Sequence, residues 1–177
     1  FVYNIKENKS TNLTNTGVTE AGPIWSPDSK FIYFTSQRLR PSYPFGMADA
    51  KVYRMALENI DEPFRLDKFN DLFKEEKKDT SKKEKSVKED SVKTIVIDTD
   101  LIMERLEQIS PSLGAQFLQA VYQKGDKTTV LYSSNHGEGK SALWKTVIEP
   151  FENNKTEKIA GTDNSRGFDI VQTLIHI

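Results

Sequence analysis

The sequence predicts an all-β chain: a partial β-propeller of four-stranded antiparallel blades, interrupted by one long charged insertion. Three observations predict it. Short runs of β-branched and aromatic residues recur along most of the 177 residues, separated by polar turns. They fall into two sets of four, one from Ile24 through Arg65 and one from about Phe117 through Ile159. A similar hairpin stands before the first set and at the end of the second. It is "FVYNI…ENKSTNLTNTG" at the start and "LWKTVI…ENNKTEKIAGTD" near the end, each leading to a glycine, Gly22 or Gly167, and a new inner strand. A β-sandwich also uses short strands, but it does not explain one hairpin recurring after every fourth strand. Blades that bury themselves only against their neighbours do.

In chain order, "FVYNI" (Phe1 to Ile5) is a strand and "ENKS" turns it back. Ile24 and Trp25 end the next strand, and Pro27, Asp28 and Ser29 form a tight turn. Proline fixes φ and donates no hydrogen bond, which places Pro27 in the turn. "FIYFT" (Phe31 to Thr35) is apolar enough to be covered on both faces. "KVYRMAL" (Lys51 to Leu57) is a third strand, and "FRL" (Phe64 to Leu66) is the candidate fourth. Lys74 to Lys93 holds fourteen charged residues in twenty, with only Val87 and Val92 apolar, so it buries no face and is expected to be solvated. Val92 to Ile109 is expected to link the two sets. Within it "DLIMERLEQI" is ambiguous, tolerating a helical turn at Leu101, Arg105 and Leu106 but alternating like a strand over "RLEQI". "AQFLQAVY", a Gly125-Asp126 turn, "TTVLYSS", a polar bend, "ALWKTVI" and "ENNKTEKIAG" complete the second set. The expected units are therefore 1–16 (end of a preceding blade), 17–73 (a blade), 74–93 (insertion), 94–165 (a blade) and 166–177 (start of a following blade). Both ends read as cuts through structure, so the ring is expected to close with further chain.

Composition excludes several functions. Twenty-five Lys and Arg against twenty-six Asp and Glu give a formal charge of -1, so no nucleic-acid partner is expected. No apolar run reaches the ~20 residues of a membrane helix. The chain has no cysteine and only two histidines, so no thiol nucleophile and no zinc motif is present, and no metal or cofactor is expected.

"SSNHGEGKSALW" ends like a phosphate-binding loop at Gly139, Lys140 and Ser141, but the motif's first glycine falls on Ser134. It also requires a following helix, whereas "ALWKTVI" has the make-up of a strand. The expected role is a hairpin connection. Of the hydroxyls Ser26, Ser29, Ser36, Ser133 and Ser141, none lies in Gly-x-Ser-x-Gly. Ser26 and Asp28 are expected to satisfy turn N–H groups beside Pro27. His136 lies in the glycine-rich bend and His176 beside the chain end, with no serine signalled against either. No catalytic residue is assigned. Trp25, Phe31, Tyr33, Phe34, Tyr53, Tyr122, Tyr132 and Trp144 are expected on strands, packing between blades. Arg38 and Arg40 precede "PSYPFG" (Pro41 to Gly46), a candidate channel mouth or domain interface in which Tyr43 and Phe45 are the expected lids.

"GPIWSPDSKFIYFTSQR" (Gly22 to Arg38) resembles the aromatic-Ser-Pro-Asp-Gly-Lys signature of WD40-like, TolB-type propeller blades. Ser29 stands where that pattern has glycine, which implies a turn that avoids positive φ or compensates for it. The order of the remainder, a charged insertion, "VKTIVIDTDLIMERLEQI" and "TTVLYSSNHGEGKSALWKTVI", is similar to the second propeller of bacterial tricorn-type serine proteases. The resemblance implies a non-catalytic scaffold and peptide-substrate filter, with nucleophile and base in a catalytic domain outside these residues. It also implies an exported, periplasmic setting, with the cytoplasm left open. The implied partners are the remaining blades, the catalytic domain, and peptides or unfolded protein. The alternative is a TolB-like interaction propeller without a peptidase.

Overall fold

A computed structural model describes residues 1–41, 46–59 and 95–164. Among these residues the chain is all-β, with three antiparallel sheets of two, four and four strands. The first sheet is a hairpin of β1 (Val2–Asn4) and β2 (Lys9–Thr11). The second is a meander of β3 (Glu20–Trp25), β4 (Phe31–Ser36), β5 (Lys51–Ala56) and β6 (Leu106–Gln108). The third contains β7 (Gln116–Lys124), β8 (Lys127–Ser134), β9 (Ala142–Ile148) and β10 (Lys155–Lys158), each paired with the next.

The central strands form where the residues are β-branched or aromatic and where both faces find a neighbour. Along β4 the side chains alternate. Ile32 and Phe34 turn to one face, where they meet Tyr53 and Met55 of β5 and Leu13, Leu57 and Ile102 from the connections. Tyr33 turns to the other face with Val52, meeting Ile109, Leu118, Val130, Tyr132 and Ile148. The β3–β6 sheet therefore lies between the β1–β2 hairpin and the β7–β10 sheet, in chain order. That double coverage explains why "FIYFT" reads as a continuous apolar run. The sheets are also joined by hydrogen bonds, Leu118 N–H donating to Thr35 Oγ1 at 3.0 Å and Gln116 N–H to the Ala50 carbonyl at 2.9 Å.

One assignment changes. "FRL" lies outside the described residues, and the fourth strand of the β3–β6 sheet is Leu106–Gln108, beyond the charged insertion. Val92 to Ile109 is thus not simply a linker. "IMER" forms a 3-10 turn, Ile102–Arg105, and "LEQ" then pairs with β5. Both halves of the ambiguous reading are present in succession. The pairing is held by the Arg54 Nε to Glu107 Oε2 bond at 2.7 Å and by Ile109 N–H donating to the Val52 carbonyl at 2.9 Å. The first four-stranded unit consequently extends to Gln108 rather than ending at 73, and the second begins at Gln116 rather than at 94.

The Ser26–Phe31 turn keeps its expected roles and resolves the Ser29 question. Ser29 takes φ 63°, so positive φ is not avoided. It is compensated: Ser26 Oγ donates to Asp28 Oδ1 at 2.6 Å, and that carboxylate accepts the Lys30 N–H at 3.1 Å. Ser26 Oγ also accepts the Phe31 N–H at 2.9 Å. Pro23 sits in β3 where the register slips between Ala21 and Ile24, a bulge on an edge strand, where proline costs no ladder hydrogen bond.

Candidate interaction face at the loop end of the sheets

Register gathers the polar loops at one end. Glu20 pairs with Ser36 and Ser36 with Lys51, while Gln116 pairs with Ser134 and Ser134 with Ala142. Each row is where strands of one sheet begin or finish, so residues 37–41, 46–50, 109–115 and 135–141 emerge together. Three polar clusters occupy this end.

The first centres on Glu20 and Arg38, whose side chains form an ion pair. Glu20 Oε2 accepts from Thr14 Oγ1 at 2.6 Å, and Arg38 Nε donates to Ser36 Oγ at 3.2 Å. The guanidinium lies 5.1 Å from the Tyr53 ring centroid and 5.8 Å from that of Phe34, a cation–π arrangement. Arg38 is thus consumed by its own sheet, whereas the Arg40 side chain is exposed. The Tyr53 hydroxyl is buried without a hydrogen-bond partner, and burial holds its pKa above the usual phenol value.

The second cluster is built on Lys51, a fully buried lysine. Its ammonium donates to Asp49 Oδ1 at 2.6 Å, to the Asp49 carbonyl at 3.0 Å and to the Gly114 carbonyl at 2.6 Å. Three acceptors match its three N–H donors, so the charge is held inside without an orphan proton. In the sequence Lys51 is only the first residue of a strand. No local signal marks a lysine whose acceptor lies so far along the chain.

The third cluster is the bend that ends like a phosphate-binding loop. It joins β8 to β9, and strand rather than helix follows Lys140 and Ser141. Asn135 Oδ1 accepts the Ala115 N–H at 2.8 Å, stitching the bend to the start of β7. Asn135, Gly139, Lys140, Ser141 and Asn164 line an open cavity of about 330 Å³. Among the described residues no helix terminus lines this space, the one helical turn being Ile102–Arg105.

His136 has a partner that the sequence did not signal. Its Nδ1 lies 2.7 Å from Ser134 Oγ, and its ring lies against Trp144 with centroids 4.0 Å apart. Burial pushes the imidazole pKa below its ordinary value. The pair is nonetheless a turn lock. Ser134 is only 2% exposed, and its oxygen also accepts the His136 backbone N–H at 3.2 Å. A nucleophile must reach substrate, and this hydroxyl is turned into the bend.

Of the expected strand aromatics, Trp25 and Tyr122 are exposed while Tyr33, Phe34, Tyr53 and Tyr132 are buried. Residues 42–45 of "PSYPFG", including Tyr43, lie outside the described residues, as do Phe45 and His176. Among the described residues no three His, Asp or Glu side chains are grouped to hold a metal ion.

No protein-family model, curated protein or solved structure matches the chain. Within the described residues, no helix is long and apolar enough to cross a membrane. The functional reading therefore rests on the geometry of the sheets and loops.

Proposed function

We propose that the chain forms non-catalytic blades of a β-propeller, a scaffold and peptide-substrate filter for a tricorn-like serine peptidase whose catalytic domain lies outside these residues. One observation carries the reading: hairpin, four-stranded sheet and four-stranded sheet stack in chain order, with apolar clusters on both faces of the middle one. A blade is a unit of this kind, apolar on both faces and therefore dependent on neighbours. The Ser26–Phe31 turn supports the same reading through its signature residues, and an exported setting goes with it.

The loop end suits binding better than chemistry. Its ion pairs are internally satisfied, the Ser134–His136 contact is closed, and its exposed groups, Arg40 and the bend, are of the kind that touch a passing chain. A fluorogenic peptide library applied to the purified chain tests the non-catalytic claim. No turnover is expected, and turnover proportional to protein and lost in His136→Ala overturns it. The peptidase claim is tested by the parent gene past Ile177. A PDZ-like segment and a serine peptidase core support it, while a stop soon after ring closure replaces it with a stand-alone TolB-like interaction propeller.

A further inference from the structure

The chain leaves the β3–β6 sheet and returns to it at a single point. Leu57 follows β5 directly, is fully buried, and donates its N–H to the Lys30 carbonyl at 2.9 Å. Its own carbonyl accepts the N–H of Asp98 at 2.8 Å, although residues 58–97 intervene. Exposure changes at the same place. Glu58 and Asn59 are exposed on the way out, and Ile95 and Val96 are exposed on the way back.

Arg105 holds the two limbs together. Its Nε donates to the carbonyl of Ala56, on the outgoing limb, at 3.2 Å. On the returning limb its Nη1 donates to the Asp100 carbonyl at 2.8 Å and its Nη2 to the Asp98 carbonyl. The Asp98 carboxylate lies 3.7 Å from Nη1 and also accepts the Asp100 N–H at 2.9 Å. A guanidinium reaches three carbonyls at once because its donors are fixed in one planar fork, which a lysine ammonium does not reproduce. All three acceptors are main-chain oxygens, so the clasp asks nothing of the side chains between its limbs.

The strand end is also fully used. β5 pairs with β4 along one edge and with β6 along the other, and the Ala56 and Leu57 carbonyls at its end both have donors. No place in the ladder of β5 is left for residues 58–97 to fill. We propose that these residues are a removable module, and that Arg105 is the positioning residue that isolates the sheet from them. The sheet then assembles alike whether the excursion is long, short or exchanged, and a cut within the excursion leaves the sheet intact. This inference goes beyond the scaffold reading above and does not depend on it.

The test compares the full chain with a variant in which residues 60–94 are replaced by a four-residue Gly-Ser linker. The shortened chain is expected to keep its strand signal in circular dichroism and to unfold in urea at or above the wild-type midpoint. Loss of the strand signal, or a lower midpoint, overturns the proposal. Hydrogen exchange in the full chain tests the clasp itself. Arg105→Lys keeps the charge but not the fork, and is expected to speed exchange of the Asp98 amide about tenfold or more while leaving the Phe34 amide of β4 as in wild type. An unchanged Asp98 amide removes Arg105 from the clasp. Faster exchange at Phe34 as well, or failure of Arg105→Lys to fold, makes Arg105 a support of the whole sheet and overturns the isolation. Neither measurement reads peptide turnover, so these outcomes are distinct from failure of the non-catalytic reading.

Discussion

Lys51 on β5 donates a 2.6 Å hydrogen bond to the carbonyl of Gly114, sixty-three residues further along the chain. The bond ties the start of a central strand in one sheet to the loop that opens the next. Because the ammonium is fully buried, it works as an internal charged strut. Lys51→Met leaves the Gly114 carbonyl and the Asp49 carboxylate without their donor and is expected to cost about 3 kcal/mol. The low end of the usual range applies because Asp49 is partly exposed and retains Arg40 at 3.7 Å. Urea unfolding measures it, and a loss below about 1 kcal/mol removes the strut from the account.

Gly114 itself is constrained from the other side. A Cβ there stands 2.5 Å from Asn135 Oδ1 and 2.7 Å from the His136 backbone nitrogen, and φ is +72°. Gly125 has a similar φ, +62°, but open space around it. Gly114→Ala is therefore expected to cost at least about 1 kcal/mol more than Gly125→Ala, the difference being steric overlap rather than backbone preference. Equal losses in thermal unfolding contradict the close approach of the two loops.

Ser29 adopts a left-handed backbone without being glycine. Ser29→Gly removes the Cβ clash of that region and is expected to stabilise the fold by about 1 kcal/mol, read as a raised unfolding midpoint. Ser29→Ala, which keeps the Cβ, gives no such gain. A loss of stability in Ser29→Gly means the serine makes a contribution that its hydrogen bonds do not reveal.

The depressed pKa of His136 predicts the direction of a pH effect. Burial in the folded protein favours the neutral imidazole, so below the unfolded value of 6.5 the unfolded chain binds the extra proton more readily. Stability from this group is complete above that value and declines as pH falls toward the lower, folded pKa. Wild type is expected to lose thermal stability more steeply than His136→Asn in this acidic window, with the two slopes parallel at neutral pH and above. Parallel slopes throughout place the imidazole in water.

Lys140 provides the functional counterpart. With a strand following it, the bend cannot aim a helix terminus at phosphate. Calorimetry with millimolar ATP or GTP is expected to show no binding, and Lys140→Ala to fold as wild type does. Saturable binding lost in Lys140→Ala restores the nucleotide reading.

Much of this architecture is legible in the residues because it is local. "FIYFT", "KVYRMAL", "TTVLYSS" and "ALWKTVI" announce their strands through continuous β-branched and aromatic runs, and Gly125-Asp126 announces the turn from β7 to β8. What escaped is set by partners distant in the chain. β6 is only three residues long and largely polar, and β5 alone makes it a strand. The bulge that carries β3 through Pro23 is likewise set by its pairing with β4. The burial of Lys51 depends on a carbonyl from the loop that opens the next sheet. The Ser134–His136 contact is local, and its spacing of two residues is the only signal that was present, one shared by many ordinary turns. Fold was therefore more readable than site, since the site depends on which loops the register brings together.

The late arrival of β6 has a consequence for synthesis. While the roughly 50 residues between Ala56 and Leu106 are being translated, at about 5–20 residues per second, the outer edge of β5 waits some seconds without its native neighbour. A nascent chain on the ribosome thus carries an open, apolar β-edge through the interval when another nascent chain can pair with it. The same spacing sets the entropic toll on closing the sheet, which rises only as the logarithm of the intervening length. Cutting that stretch from about 50 to about 14 residues relieves about 1 kcal/mol of it and shortens the exposed wait several-fold. The length of this connection is thus a clock on how long the growing chain remains vulnerable, as well as a spacer between two strands.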